Sequence, residues 1–341
     1  MRHAGLRLLG ACVLLLSGFA NAFERAPELQ LEAALPVDGM PRGNLSALQH
    51  CNGQLLTLSD REDTSLFVLQ RGEHAYQASV ESFTLPADSP SMLPVKLLAG
   101  AWLRGLSGQA LDFEGLACDG EGNRYLVSES QLGVLRLPPP AETPVQGSWL
   151  DLDPAVYTEG EARGLWQQVN ALAEGVAIDA QADTLWLAAE RQGRGLVKLQ
   201  RQGDRWVCPL AGCVLLAERR FLPTEPFGPG ILNREVMPVD FSDLVFWEGW
   251  LWTLERNAHQ VCRRNALSGK RERCWSFAQS VLVEPYFYPD APFGLAEALL
   301  ISDEGIVIGL DNNNRLRPDG DARPWLFHFA LPADWQEDVT P

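Results

Sequence analysis

Apolar and polar positions alternate along this chain in short bursts, and the bursts come in pairs. Each pair reads as a short apolar strand, a turn carrying Gly, Asn or Asp, and a second strand of alternating apolar residues. Five segments repeat the pattern: Leu45–Arg61, Phe113–Ser130, Ala173–Arg191, Phe241–Arg256 and Ala296–Asn312. Their turns, CNGQ, DGEGN, AQAD, WEGW and SDEG, have hairpin chemistry. A third strand follows each hairpin at Ser65–Gln70, Gly133–Leu137, Gly195–Gln200, Gln260–Arg264 and Trp325–Ala330. A fourth is read at Ala78–Leu85, Ser148–Leu152, Cys213–Ala217 and Cys274–Phe277, and a short helix within Asp153–Gln168. The fifth repeat lacks a fourth strand after Ala330, and Leu29–Ala34 near the N-terminus supplies a candidate.

Four-stranded units at a regular period are the signature of a β-propeller. The expectation is therefore an all-β chain forming a single propeller of five blades, closed by an N-terminal strand. A sixth blade would require one inter-repeat stretch to hide an irregular unit. A β-sandwich or a two-domain β protein is the alternative. Residues 1–22 stand apart: a positive start, the apolar run Leu8–Phe19 and an Ala20-Asn21-Ala22 cleavage signal read as a secretory leader. The propeller domain is then residues 23–341, periplasmic or secreted, with no later segment that could span a bilayer, and expected as a monomer.

Charge narrows the partners. The net charge of −16 becomes about −18 once Arg2 and Arg7 leave with the leader, a surface that repels nucleic acid and anionic lipid. Cleavage also removes Cys12 and leaves six cysteines, an even number that suggests disulfides in an exported chain. Six cysteines allow 15 connectivities. Cys208 and Cys213 bracket a small loop, Cys262 and Cys274 flank a hairpin, and Cys51 and Cys118 occupy matching places in neighbouring repeats.

In a propeller blade the start of the first strand and the end of the second lie on one face. Here both places are acidic. The first positions are Ser46, Glu114, Glu174, Ser242 and Glu297, with Asp112, Asp240 and Asp243 close by; the second are Asp60, Glu129, Glu190, Glu255 and Asp311. Arg61, Arg191 and Arg256 directly follow three of them. Carboxylates that converge raise one another's pKa or demand a cation, and Ca2+ is the ion such oxygen ligands suit. Glu114, Glu174, Glu297, Glu129 and Glu190 are the candidate acids and bases. Glu114, Glu174, Asp240, Asp243 and Asp311 are the candidate metal ligands. Arg191, Arg256 and His259 are the candidate substrate-binding residues. The structural alternative is that these acids hydrogen-bond backbone amides of the next blade or pair with the arginines. No G-x-S-x-G, S-x-x-K or Walker motif is present.

The units FEGLACDGEGNRYLVSES, AEGVAIDAQADTLWLAAER and AEALLISDEGIVIGLDN resemble those of the phytase-like, or esterase-like-activity-of-phytase, domain proteins. The Glu-Gly pair matches at Glu114-Gly115 and Glu174-Gly175 and is degraded at Glu297-Ala298, Ser242-Asp243 and Ser46-Ala47. The resemblance implies hydrolysis of a small-molecule ester or phosphate ester. The same Glu-Gly pair also resembles gluconolactonase-like calcium propellers, implying a lactone hydrolase, and the SdiA-regulated propellers. A non-enzymatic binding propeller in the envelope, using the long loops Pro138–Trp166 and Phe221–Asp240, is the rival reading.

Overall fold

The hairpin turns do what their residues dictate. Asn52-Gly53 and Glu248-Gly249 both take positive φ at consecutive positions, the conformation that two-residue hairpin loops need to match strand twist. In the longer turns an aspartate holds the loop. Asp119 Oδ1 accepts the amides of Glu121 and Asn123 at 3.0 and 2.9 Å, and Asp179 Oδ1 accepts that of Asp183 at 2.7 Å. The computed structural model describes residues 26–87, 111–141, 144–168, 171–191, 193–218, 221–223, 236–238, 240–291 and 294–337. The leader and most of the Phe221–Asp240 loop lie outside the described residues.

Each repeat builds an antiparallel sheet in chain order. The first unit runs Leu48–Cys51, Gln54–Thr57, Ser65–Arg71 and Tyr76–Thr84. The second runs Phe113–Cys118, Arg124–Ser128, Gly133–Leu137 and Ser148–Trp149. The third runs Ala173–Ile178, Thr184–Ala189 and Gly195–Gln202, whose outer edge takes both Arg205–Val207 and Val214–Ala217. The fourth runs Asp243–Trp247, Trp250–Glu255, Gln260–Asn265 and Arg271–Ser276. The fifth runs Ala296–Ser302, Gly305–Leu310 and Trp325–Phe329.

The first strands of the five units pack against one another in sequence. Phe113–Cys118 touches Leu48–Cys51 and Ala173–Ile178, Asp243–Trp247 touches Ala173–Ile178 and Ala296–Ser302, and Ala296–Ser302 returns to Leu48–Cys51. Among the described residues these contacts link the inner strands of the units into a ring, a β-propeller-like arrangement. The core lies between units. Val127, Val134, Val176 and Leu187 fill one such space with Trp166, and Trp252, Trp275, Leu299 and Phe327 fill another.

The segment after residue 26 runs along outer edges. Leu29 N donates to Ser276 O at 2.7 Å, Leu31–Asp38 pairs antiparallel with Trp325–Phe329, and Val37 and Asp38 pair parallel with Tyr76 and Gln77. The helix expected within Asp153–Gln168 forms at Ala155–Ala162. The stretch Ser148–Leu152 differs from the single strand expected. It divides at Leu150, whose amide bonds Val134 O at 2.9 Å. Ser148–Trp149 stays with the second unit, and Asp151–Leu152 pairs parallel with Arg205–Val207 of the third. Three disulfides form, Cys51–Cys118, Cys208–Cys213 and Cys262–Cys274. The first joins two units and the third spans a hairpin. Among the described residues no helix is long and apolar enough to cross a membrane.

Candidate functional site

The Glu-Gly pairs owe their form to the crowding of the inner strands. A Cβ on Gly115 would lie 2.8 Å from Glu174 O and 2.9 Å from Val176 N. One on Gly175 would lie 2.7 Å from Leu244 N. Glycine is needed because the neighbouring backbone occupies the side-chain position. The residue before each is irregular too. The ladder shifts register between Phe113 and Gly115, between Ala173 and Gly175, and between Ala296 and Ala298. Glu114, Glu174 and Glu297 each sit at a β-bulge, a device that re-aims one side chain. The fourth unit has no shift, and its acid falls one place later at Asp243.

These bulges bring carboxylates together at the mouth. Oxygens of Asp60, Asp112 and Glu114 all lie within 4.8 Å of one another, and so do oxygens of Glu129, Glu174 and Glu190. Five of the six are buried, and Glu114 is half-buried. Burial is the first cause that drives Glu114 well above the carboxylate range, reinforced by repulsion from Glu174, Asp112, Asp60 and Glu129. Burial also lifts Glu174 to about 8 against the pull of Arg256, and Asp60 to about 6 against the pull of Arg61. Arg61 Nε stands 3.2 Å from Asp60 Oδ2.

A third group gathers round Arg256. Its Nε donates to Asp240 Oδ2 at 2.8 Å, its Nη1 to Glu297 and its Nη2 to Glu190. Burial works against the guanidinium's charge, but Glu297, Asp240 and Glu174 outweigh it and hold Arg256 firmly protonated. Burial lifts Glu297 to about 8 and raises Asp240, with Arg256 opposing in both. Arg191, half-buried, pairs with Glu190. Across the mouth three oxygens, Asp60 Oδ1, Glu190 Oε2 and Glu297 Oε2, are buried with no hydrogen-bond partner among the described residues. Such atoms are costly unless something else satisfies them.

The remaining candidates are placed differently. Asp243 accepts the amides of Leu244 and Leu299, each at 2.7 Å. Burial still raises it well above its ordinary range. Asp311 accepts from Asn44 Nδ2 at 3.1 Å and Asn313 N at 2.6 Å. Burial raises it, and so do Glu297 and Asp60. Glu129 Oε1 accepts Leu172 N of the next unit at 3.2 Å. Ser242 Oγ donates to Ala296 O at 2.8 Å. Glu255 turns away to Arg194 and Arg264, both at 2.7 Å. Burial alone would raise its carboxyl, but the two arginines bring it down to about 2. His259, with φ 51°, packs on Phe277 beside a cavity of about 30 Å³ that Leu295 and Leu310 also line. Burial lowers its pKa to about 4, so the ring is neutral.

Sequence reasoning missed Asn44 and Asn257, the latter donating to Asp240 Oδ2 at 2.8 Å. It also missed Arg194 and Arg264, whose guanidiniums stack on Phe241 at 4.6 and 4.8 Å. Asn257 directly follows the Glu-Arg pair and was within reach of inspection; the others have no local signal.

No protein-family model matches the sequence, and no curated protein matches it. Solved structures resemble it weakly. The Myxococcus xanthus glutaminyl cyclase shares 11% identity at a TM-score of 0.49, covering 89% of this chain and 97% of that one. The PQQ-bound aldose sugar dehydrogenase of Streptomyces coelicolor shares 12% at 0.40, covering 89% and 96%. The Xanthomonas campestris gluconolactonase XC5397 shares 11% at 0.37, covering 84% and 72%. Likeness this low transfers neither substrate nor chemistry.

Proposed function

We propose that the chain is an exported five-bladed propeller, closed by Leu31–Asp38, whose acidic mouth hydrolyses a small ester or phosphate ester with the help of a divalent cation. The observation that carries this reading is the pair of carboxylate triads, with buried oxygens of Asp60 and Glu190 lacking partners. Three disulfides support an oxidising compartment. The donor set is all carboxylate oxygen, which fits Ca2+. Asp60, Asp112 and Glu114, or Glu129, Glu174 and Glu190, would hold the ion. When bound, it would supply positive charge to polarise the ester oxygen.

The chain's own residues supply the proton transfers. Glu114 is the most exposed of the acids; burial and its acidic neighbours make it hold its proton without the ion, and ionised beside the cation it would take a proton from the attacking water. Glu297, with its pKa near 8, holds a proton at neutral pH and delivers it to the departing alkoxide as the C–O or P–O bond breaks. Arg191 orients an anionic group, and Arg256 fixes Glu190, Asp240 and Glu297 in place. Glu114→Gln and Glu174→Gln are each expected to abolish turnover while the melting temperature stays near wild type. Lost stability with unchanged turnover would make both residues structural.

A second reading, a non-enzymatic binding propeller, is favoured by one observation. Arg256 is engaged by three carboxylates, and Glu129 and Asp243 bond amides, so part of the acidity is a frame that locks the units together. Turnover of nitrophenyl esters, nitrophenyl phosphates or a lactone separates the two.

A further inference from the structure

The two carboxylate triads are built alike. Each forms where the end of one unit's second strand meets the start of the next unit's first strand. Asp60 of the first unit meets Asp112 and Glu114 of the second, and Glu129 of the second meets Glu174 and Glu190 of the third. Among the described residues only these two joints of the ring gather an acid from both places. Serine replaces the first-strand glutamate at two of the others, as Ser242 and Ser46. At the joint between the fourth and fifth units, Glu255 turns away to Arg194 and Arg264 and leaves Glu297 to Arg256. No residue belongs to both triads, yet they adjoin. Glu129 N donates to Asp112 O at 2.9 Å, and the Glu174 carbonyl lies against Gly115.

Each triad also holds one buried oxygen that no described residue satisfies. Asp60 Oδ2 lies 3.2 Å from Arg61 Nε, and Oδ1 has no partner. Glu190 Oε1 takes both Arg191 and Arg256, and Oε2 has none. Asp60 is 9% exposed and Glu190 0%. In both, a guanidinium fixes the carboxyl by one oxygen and leaves the other for a ligand.

Charge sets the number of ions. With every carboxyl ionised, Asp60, Asp112 and Glu114 exceed the charge of Arg61 by two. Glu129, Glu174 and Glu190, with Asp240 and Glu297 on the same Arg256, exceed Arg191 and Arg256 by three. One dication leaves three buried negative charges uncompensated, and two leave one. Access to the two triads differs. Glu114 is half-buried and opens the first to solvent, whereas Glu129, Glu174 and Glu190 are 3%, 6% and 0% exposed and close the second. On the reading of the mouth as a cation site, we propose that it holds two divalent cations. An exchangeable one sits on Asp60, Asp112 and Glu114, and an enclosed one on Glu129, Glu174 and Glu190.

The test is calorimetric titration of the EDTA-stripped protein with Ca2+, followed by stopped-flow release of the bound ions to a chromophoric chelator. Two ions per chain and two release phases are expected. Asp112→Asn should remove one ion and the fast phase; asparagine keeps the side-chain shape and suits the φ of 56° at that position. Glu129→Gln should remove the other ion and the slow phase, because its amide oxygen can still accept Leu172 N. Should either variant fail to fold, Asp60→Asn and Glu174→Gln replace them in turn, with the same outcomes expected. A single ion in the wild-type protein overturns the two-cation proposal alone, and no ion overturns the reading of the mouth with it. Loss of both ions in either variant, or release of both in one phase, also overturns the proposal.

Discussion

Raising the pH of the cation-free protein should lower its stability, and the size of the effect follows from the mouth. Glu174 and Glu297 have ordinary pKa values of 4.5 and folded values of about 8. A carboxyl with a raised folded pKa keeps its proton in the native state after the unfolded chain has lost it. The native state is therefore favoured at low pH, and that advantage disappears as pH climbs from 4.5 to 8. Part of this window is obscured. Burial lowers His259 and His328 from 6.5 to about 4, so both add stability as pH rises from 4 to 6.5. Between 6.5 and 8 the carboxyls dominate, Glu174 and Glu297 at about 2 kcal/mol each, while Glu114, Asp243 and Asp311, raised by the same burial, act in the same direction. Two carboxyls then lower the melting temperature by roughly 8 °C for a chain of this size. The assay is differential scanning calorimetry in EDTA at pH 6.5, 7.25 and 8. Glu297→Gln should make the slope shallower. Saturating Ca2+ should reduce it, because the ion favours the ionised form of its ligand Glu174. A melting temperature that is flat or rises across that window refutes the account of the mouth.

Further expectations can be checked on stability and metal binding. Glu255→Ala leaves Arg264 buried without its anion and Arg194 with Glu218 alone, and should cost about 3–5 kcal/mol in urea unfolding. The affinity for Ca2+, measured by calorimetric titration, should stay the same, because Glu255 faces away from both triads. Gly115→Ala forces a Cβ against the Glu174 carbonyl and should destabilise by about 1–3 kcal/mol, with a loss of turnover as Glu114 shifts. Replacing Cys51 and Cys118 together by Ala opens a link across a separation of 67 residues and should lower unfolding free energy by about 4 kcal/mol.

The sequence exposed the repeat because hairpins write their turns locally. CNGQ and WEGW carry the residues that positive φ requires, and the inner and second strands lie where alternation put them. Of the cysteine pairings, Cys51–Cys118 followed from the same alignment of repeats, Cys208–Cys213 from a small loop and Cys262–Cys274 from a hairpin. The site was legible as a list of acids and not as an arrangement. The Glu190-Arg191 and Glu255-Arg256 pairs look alike, yet Glu190 enters a triad and Glu255 leaves for Arg194 and Arg264. That choice is made by which unit's arginine reaches across, a long-range fact with no local trace. The bulges at Glu114, Glu174 and Glu297 were also hidden, since an extra residue in a ladder is visible only once its partner strand is in place. In hindsight the glycine after Glu114 and Glu174 was their sign.

The most direct test of the acidic mouth is turnover of p-nitrophenyl esters and p-nitrophenyl phosphates by the purified protein, with Ca2+ or with EDTA. Hydrolysis that EDTA stops, Ca2+ restores and Glu174→Gln abolishes is the predicted result. No hydrolysis of either class with Ca2+ present would contradict it and leave the carboxylates as the frame of a binding protein.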